Sequence, residues 1–149
     1  MKKTVIVAAA LLLLLFTSVT AGFCQEQEII GTVNTFYDCV EKGDKAAMLT
    51  LLTTEASEVV RKNPAKAGNL GSVYEICDKI KSGVLAITFK ERKITIIKKS
   101  ADSVQVEARS IFKADYIKEK KSGEDKTVDV LNLKLQNKKW LIEDITSND

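Results

Sequence analysis

Hydrophobic positions change their period twice along this chain of 149 residues. From Val5 to Phe16 they run unbroken, from Gln25 to Ile80 they recur at helical spacing, and from Leu85 onward they alternate. Ile29, Val33, Phe36, Tyr37 and Val40 share one face of a helix over Gln25–Lys42, and Gly43 supplies a C-terminal cap. Asp44 is placed to cap a second helix, Lys45–Leu52, which carries Met48, Leu49, Leu51 and Leu52. Glu55–Arg61 extends it by a separate turn or two. Asn63–Gly71 holds the sole proline, Pro64, and two glycines, so it reads as a loop. Ser72 and Glu75 form a capping box that opens a third helix. Val73, Ile76, Cys77 and Ile80 lie on its apolar stripe, and Gly83 ends it.

Alternation then predicts strands. Leu85, Ile87 and Phe89 alternate, as do Ile94 and Ile96, and Ser100–Asp102 is a turn. The next strand places Val104, Val106, Ala108, Phe112, Ala114 and Tyr116 on one face, against Gln105, Glu107, Arg109, Lys113 and Asp115 on the other. Lys121–Glu124 reads as a hairpin turn. Its partner strand, Thr127–Leu135, changes phase, because Val128 and Val130 give way to Leu131, Leu133 and Leu135; that predicts a β-bulge or burial on both faces. Gln136–Lys139 turns into a last strand, Trp140–Ile145. Helices segregated from strands make the fold class α+β, with three N-terminal helices packed on a curved antiparallel sheet of about four to five strands.

The unbroken apolar run is a targeting signal. Lys2 and Lys3 precede it, and Val19 and Ala21 give an A-x-A-like cleavage site, the anatomy of a secretory signal peptide. The run is short for a membrane span, which takes roughly 20 apolar residues. The expected organisation is a signal peptide over residues 1–21 and a single domain over 22–149, exported to the periplasm or secreted. Cleavage removes two lysines and no acid, so most of the formal net charge of +3 disappears. A nearly neutral protein offers no electrostatic footprint for nucleic acid. Cys24, Cys39 and Cys77 remain, and in an oxidising compartment any one pair of the three could bridge. Cys24 is also the position a lipid anchor would use, but Phe23, directly before it, is bulkier than the lipoprotein pattern requires.

Several features together resemble the cone-shaped fold shared by nuclear transport factor 2, ketosteroid isomerase and scytalone dehydratase. They are the helix ending Phe36-Tyr37-Asp38-Cys39-Val40-Glu41-Lys42-Gly43-Asp44, the short Met48-Leu49 helix, the long hairpin, and the terminal Asn137-Lys138-Lys139-Trp140-Leu141-Ile142-Glu143-Asp144-Ile145. The chain is most similar to small exported bacterial proteins of that superfamily. The resemblance implies a pocket between helices and sheet, and a homodimer through the sheet's outer face. It does not imply chemistry, because the fold hosts enzymes and binding modules alike.

There is no histidine, which removes the commonest general base, the commonest metal ligand and the His-Asp dyad used by part of that superfamily. No C-x-x-C, no calcium loop and no Gly-rich phosphate loop occurs, so nothing calls for a metal or a cofactor. The other arrangement the resemblance implies is an Asp base with a Tyr and acid oxyanion hole. Asp129, alone among carboxylates in an otherwise apolar strand, is its candidate, with Tyr37, Tyr74 and Tyr116 as hydroxyls and Asn132 as a further ligand-binding group. Against it, Asp129 fits the polar alternation of Val128-Asp129-Val130 and is expected to face solvent. The expected function is therefore a non-catalytic exported domain that binds an envelope protein or a small apolar ligand. The alternatives are an acid-base isomerase or dehydratase built on Asp129 and a tyrosine, and an envelope lipoprotein tethered through Cys24.

Overall fold

A computed structural model of the chain describes Gly22 and residues 24–148. The expected signal peptide, residues 1–21, lies outside the described residues. The chain divides into two compact units at Gly31/Thr32. The described part of the first is helical and carries the exposed Cys24. The second begins inside the same helix, α1 (residues 24–42), and contains every other element.

Within the second unit, Val33, Phe36, Tyr37 and Val40 are all buried, as their i, i+3, i+4, i+7 spacing predicts. Gly43 ends α1 with φ +65°, and its amide donates to the Val40 carbonyl at 2.9 Å. A side chain there would also meet the Cys77 carbonyl at 2.9 Å, so glycine answers both a conformational and a packing demand. Asp44 caps α2 (Lys45–Leu49) by accepting from the Ala47 amide at 3.0 Å.

α2 stops short of Leu52. There the chain pairs with a strand: Ile142 N–H donates to the Leu51 carbonyl at 2.8 Å, and Thr53 N–H donates to the Ile142 carbonyl at 2.9 Å. Those tertiary bonds outcompete helix continuation. Thr53, itself buried, then caps a distinct helix, α3 (Thr54–Lys62), through its hydroxyl. A 3₁₀ turn, Pro64–Lys66, leads into α4 (Gly68–Lys81). The expected capping box is thus corrected. Ser72 lies inside α4, and its hydroxyl bonds back to the Gly68 carbonyl. The helix starts earlier because Gly71 lets the Pro64 carbonyl approach; a Cβ on Gly71 would sit 1.8 Å from that oxygen.

The sheet is an antiparallel meander in the order β1 (Leu85–Lys99), β2 (Ser103–Tyr116), β3 (Lys121–Gln136), β4 (Lys139–Asn148). β1 carries register shifts at Phe89/Glu91 and Ile96/Lys98. The first moves its inward face from Leu85, Ile87 and Phe89 to Arg92, Ile94 and Ile96. β2 and β3 pair without interruption, so the apparent phase change in β3 is not a bulge against β2. Asp129, Leu131 and Leu133 are buried on one face, while Val128 and Val130 occupy the other. The extra residue belongs to β4: Asn132 pairs with Asp144 and Leu133 with Ile142, leaving Glu143 between. The β2–β3 turn lies at residues 117–120, not Lys121–Glu124, because Tyr116 pairs with Lys121 and Gly123 pairs with Ala114. Lys120, at φ +50°, takes the left-handed position in that turn.

Trp140, Phe36, Met48, Leu131, Leu133, Ile142 and Val106 are fully or almost fully buried. No helix among the described residues is long and apolar enough to cross a membrane.

Candidate functional site

A cavity of about 240 Å³ is walled by apolar side chains of α1, α4 and the sheet, among them Phe36, Val73, Ile76, Ile87, Phe89 and Phe112. One end is polar. Asp129, on β3, is only 7% exposed, because its parity is that of Leu131 and Leu133. Its Oδ2 accepts from the Tyr37 hydroxyl at 2.6 Å. Its Oδ1 accepts from the Thr127 hydroxyl at 3.0 Å and the Ser147 hydroxyl at 2.7 Å. Three hydroxyls from α1, β3 and β4 thus converge on one carboxylate, each a charge-assisted bond that offsets the cost of its burial. Burial first, and then the neighbouring Asp129 carboxylate, push the Tyr37 phenol far above its ordinary range, although Arg92 opposes this.

Arg92 backs this pole. Its guanidinium carbon lies 4.8 Å from the Tyr37 ring centroid and 4.7 Å from that of Phe89, in cation–π geometry. Its Nη1 donates to the Asn34 carbonyl and Oδ1, both at 3.2 Å, and to Asp38 Oδ1 at 3.3 Å. Tyr37 is therefore held between Phe36, Phe89 and a planar cation, and its hydroxyl is aimed at Asp129. At the β1 bulge, the Phe89 amide donates to Glu41 of α1 at 3.5 Å.

The five candidate ligand-binding residues separate. Tyr37 and Asp129 meet in the cavity. Tyr74 lies under the Lys45 ammonium, 3.6 Å from ring centroid to Nζ, and Lys45 also bridges to Asp78 at 2.6 Å. Tyr116 is 46% exposed at the end of β2. Asn132 is on the outer face, where its Oδ1 accepts from Gln105 at 3.1 Å; it is not an inward group among the leucines, because its parity is opposite to theirs. Asp129 differs in the other sense, since the face expected to meet solvent is the buried one. Cys24, Cys39 and Cys77 are unbridged. Burial, reinforced by Asp44, raises the Cys39 thiol, and burial pushes Cys77 up to about 11, so neither is an activated nucleophile. Among the described residues, no group of three or more His, Cys, Asp or Glu could hold a metal ion.

Arg92, Thr127 and Ser147 were not among the expected site residues. Two have a readable signal. Thr127 shares the parity of Asp129, and the switch from odd apolar positions up to Phe89 to even ones from Ile94 places Arg92 inward. Ser147 follows Ile145 at the same parity, but nothing in the sequence marks it as a partner of Asp129.

No family model matches the chain, and no curated protein matches it. Solved structures do. A nuclear transport factor 2-like protein with a cystatin-like fold from Novosphingobium aromaticivorans is 9% identical, with a TM-score of 0.60 over 89% of this chain and 86% of that one. A ketosteroid isomerase-like protein from Erwinia carotovora atroseptica is 12% identical, with a TM-score of 0.58 over 80% and 92%. This chain has the nuclear transport factor 2-like, cystatin-like fold. The association domain of C. elegans CaMKII is also similar, at 14% identity and a TM-score of 0.51 over 85% and 96%. At these identities the likeness is one of fold alone. The nuclear transport factor 2-like fold is compatible with ligand binding and with oligomerisation, and its members here span an isomerase-like protein and an association domain. In this chain, the cavity with the Tyr37–Asp129 pole is the candidate site.

Proposed function

We propose that this protein is an exported, non-catalytic binding domain whose helix–sheet cavity takes a small apolar ligand. One observation carries the reading: every hydroxyl at the polar end donates to Asp129. Isomerase or dehydratase chemistry needs a donor aimed where negative charge develops. Here Tyr37 directs its proton at the carboxylate, and its raised phenol opposes release of that proton. The apolar walls supply affinity, at about 25 cal/mol for each Å² removed from water. The address rests on the signal pattern of residues 1–21, with a soluble product favoured over a Cys24 anchor by Phe23. A partner protein or a second copy of the chain would meet the outer face of the sheet, which carries the polar Gln105–Asn132 pair.

The test is titration of the purified domain with an environment-sensitive apolar dye, alongside Ile76→Trp to fill the cavity. Saturable binding by the wild type, lost in the folded variant, is expected. No saturable binding to the wild type would overturn the reading.

A second reading is favoured by one contact, the 2.6 Å bond between buried Tyr37 and Asp129. Those groups in hydrogen-bond reach are the requirement for an acid-base enzyme. Deuterium exchange at carbons beside a ketone, followed by NMR, separates the two readings. Exchange that the wild type catalyses and Asp129→Asn does not would favour the enzyme.

A further inference from the structure

We infer that the ligand of this cavity is a small primary amine with an apolar body. The inference rests on the binding reading and adds the chemistry of the ligand's head group. The polar end is made of acceptors. Tyr37, Thr127 and Ser147 all direct their protons to Asp129, so none is left to donate to a ligand. What they leave is lone pairs. Among the described residues Oδ2 accepts from Tyr37 alone, and a carboxylate oxygen can take a second donor. Each hydroxyl oxygen can also accept.

The carboxylate also lacks a cation. None of the ion pairs among the described residues includes Asp129. Arg92, stacked on the Tyr37 ring, turns its Nη1 to Asn34 and Asp38 and its face to the aromatic rings. Lys126 lines the cavity but is exposed at its rim. A ligand ammonium supplies three donors and the missing charge together. An acid or phosphate would bring like charge to Asp129, and the hydroxyls around it have no proton left to donate.

Size sets the rest. At roughly 30 Å³ for each water-sized group, the cavity takes about eight non-hydrogen atoms. Phe36, Phe89 and Phe112 give it an aromatic lining, which suits a ring or a short alkyl chain. The exposed Ser147 and Lys126 mark the entrance, so the ammonium passes the rim before it reaches Asp129.

The experiment is isothermal titration of the mature domain with four compounds of matched body: 2-phenylethylamine, 2-phenylethanol, ethylbenzene and phenylacetate. The expected order is amine first, about tenfold over the alcohol, with ethylbenzene weaker and phenylacetate unbound. Asp129→Asn should bring amine and alcohol to equal affinity. The wild-type ranking decides the matter even where that variant fails to fold. Equal binding of amine and alcohol, or preference for phenylacetate, overturns the amine inference and leaves the apolar-ligand reading standing. If no compound binds, ethylbenzene included, both fail.

Discussion

Tyr37→Phe removes one hydroxyl and little else. The ring keeps its edge-on contacts with Phe36 and Phe89, at centroid separations of 5.5 and 5.3 Å. What disappears is the donor 2.6 Å from Asp129 Oδ2, a bond to a charged acceptor worth about 2 kcal/mol. The second consequence concerns pH. Burial and Asp129 raise the phenol far above its ordinary value of 10.0. Below that value, Tyr37 is protonated in both the folded and unfolded states and contributes no pH dependence. Above it, the unfolded chain releases the phenolic proton while the folded chain retains it, so the unfolded state gains. The stability linked to Tyr37 is therefore present below about pH 10 and declines above it by up to ~1.4 kcal/mol per pH unit.

Phenylalanine has no such proton. The stability gap between wild type and Tyr37→Phe should thus be about 2 kcal/mol near pH 8 and fall below ~1 kcal/mol near pH 11. Urea unfolding followed by the fluorescence of Trp140, the single tryptophan, measures the gap across that range. Other titrating groups are common to both chains and cancel. A gap that stays constant would mean that Tyr37 ionises as readily in the folded protein as in the unfolded one. That result would refute the clamp between Tyr37 and Asp129.

Three further outcomes follow from the same packing. Asp129→Ala leaves three hydroxyls without their acceptor and should lower stability by about 3 kcal/mol, with Asp129→Asn losing about half as much, both read from urea midpoints. Gly71→Ala drives a Cβ onto the Pro64 carbonyl and should cost about 2 kcal/mol or more, whereas the Cβ added by Gly31→Ala meets no described atom within 4 Å and should stabilise its helix by up to ~1 kcal/mol; thermal melts of the pair test the difference. Ser110 carries a buried hydroxyl with no hydrogen-bond partner among the described residues, so Ser110→Ala should leave the melting temperature unchanged or raised, and a drop of several degrees would show that the hydroxyl is satisfied.

The elements of this fold were legible where one local rule acts alone. Gly43 and Asp44 mark a helix end and a helix start, and the structure uses both as caps. The β2 alternation survives intact from Val104 to Ala108. Reading failed where a distant segment overrules a local signal. Ser72 and Glu75 have the letters of a capping box, but the Pro64 carbonyl packed on Gly71 lets the helix begin at Gly68. Leu52 has helical periodicity, yet backbone bonds to Ile142 claim its neighbours. Asp129 failed for a different reason. Val128 and Val130 made it look like the polar half of an alternation, and the deciding parity, that of Leu131 and Leu133, lay further along the same strand.

The partners of Asp129 explain why a carboxylate can occupy that inward position. They come from three places in the chain, Tyr37 on the helix and Thr127 and Ser147 on two strands, and no local pattern joins them. Each supplies a proton that water would otherwise supply, so the carboxylate is tolerated only when helix and sheet are docked. Folding and the proposed ligand recognition would consequently draw on the same group. A ligand ammonium at Oδ2 would add a donor to an acceptor already oriented by Tyr37, without disturbing the two bonds at Oδ1. An enzyme would need the opposite: a Tyr37 proton free to leave Asp129 and follow charge developing on a substrate. In this chain the direction of the Tyr37 hydroxyl therefore separates the proposed binding reading from the catalytic one.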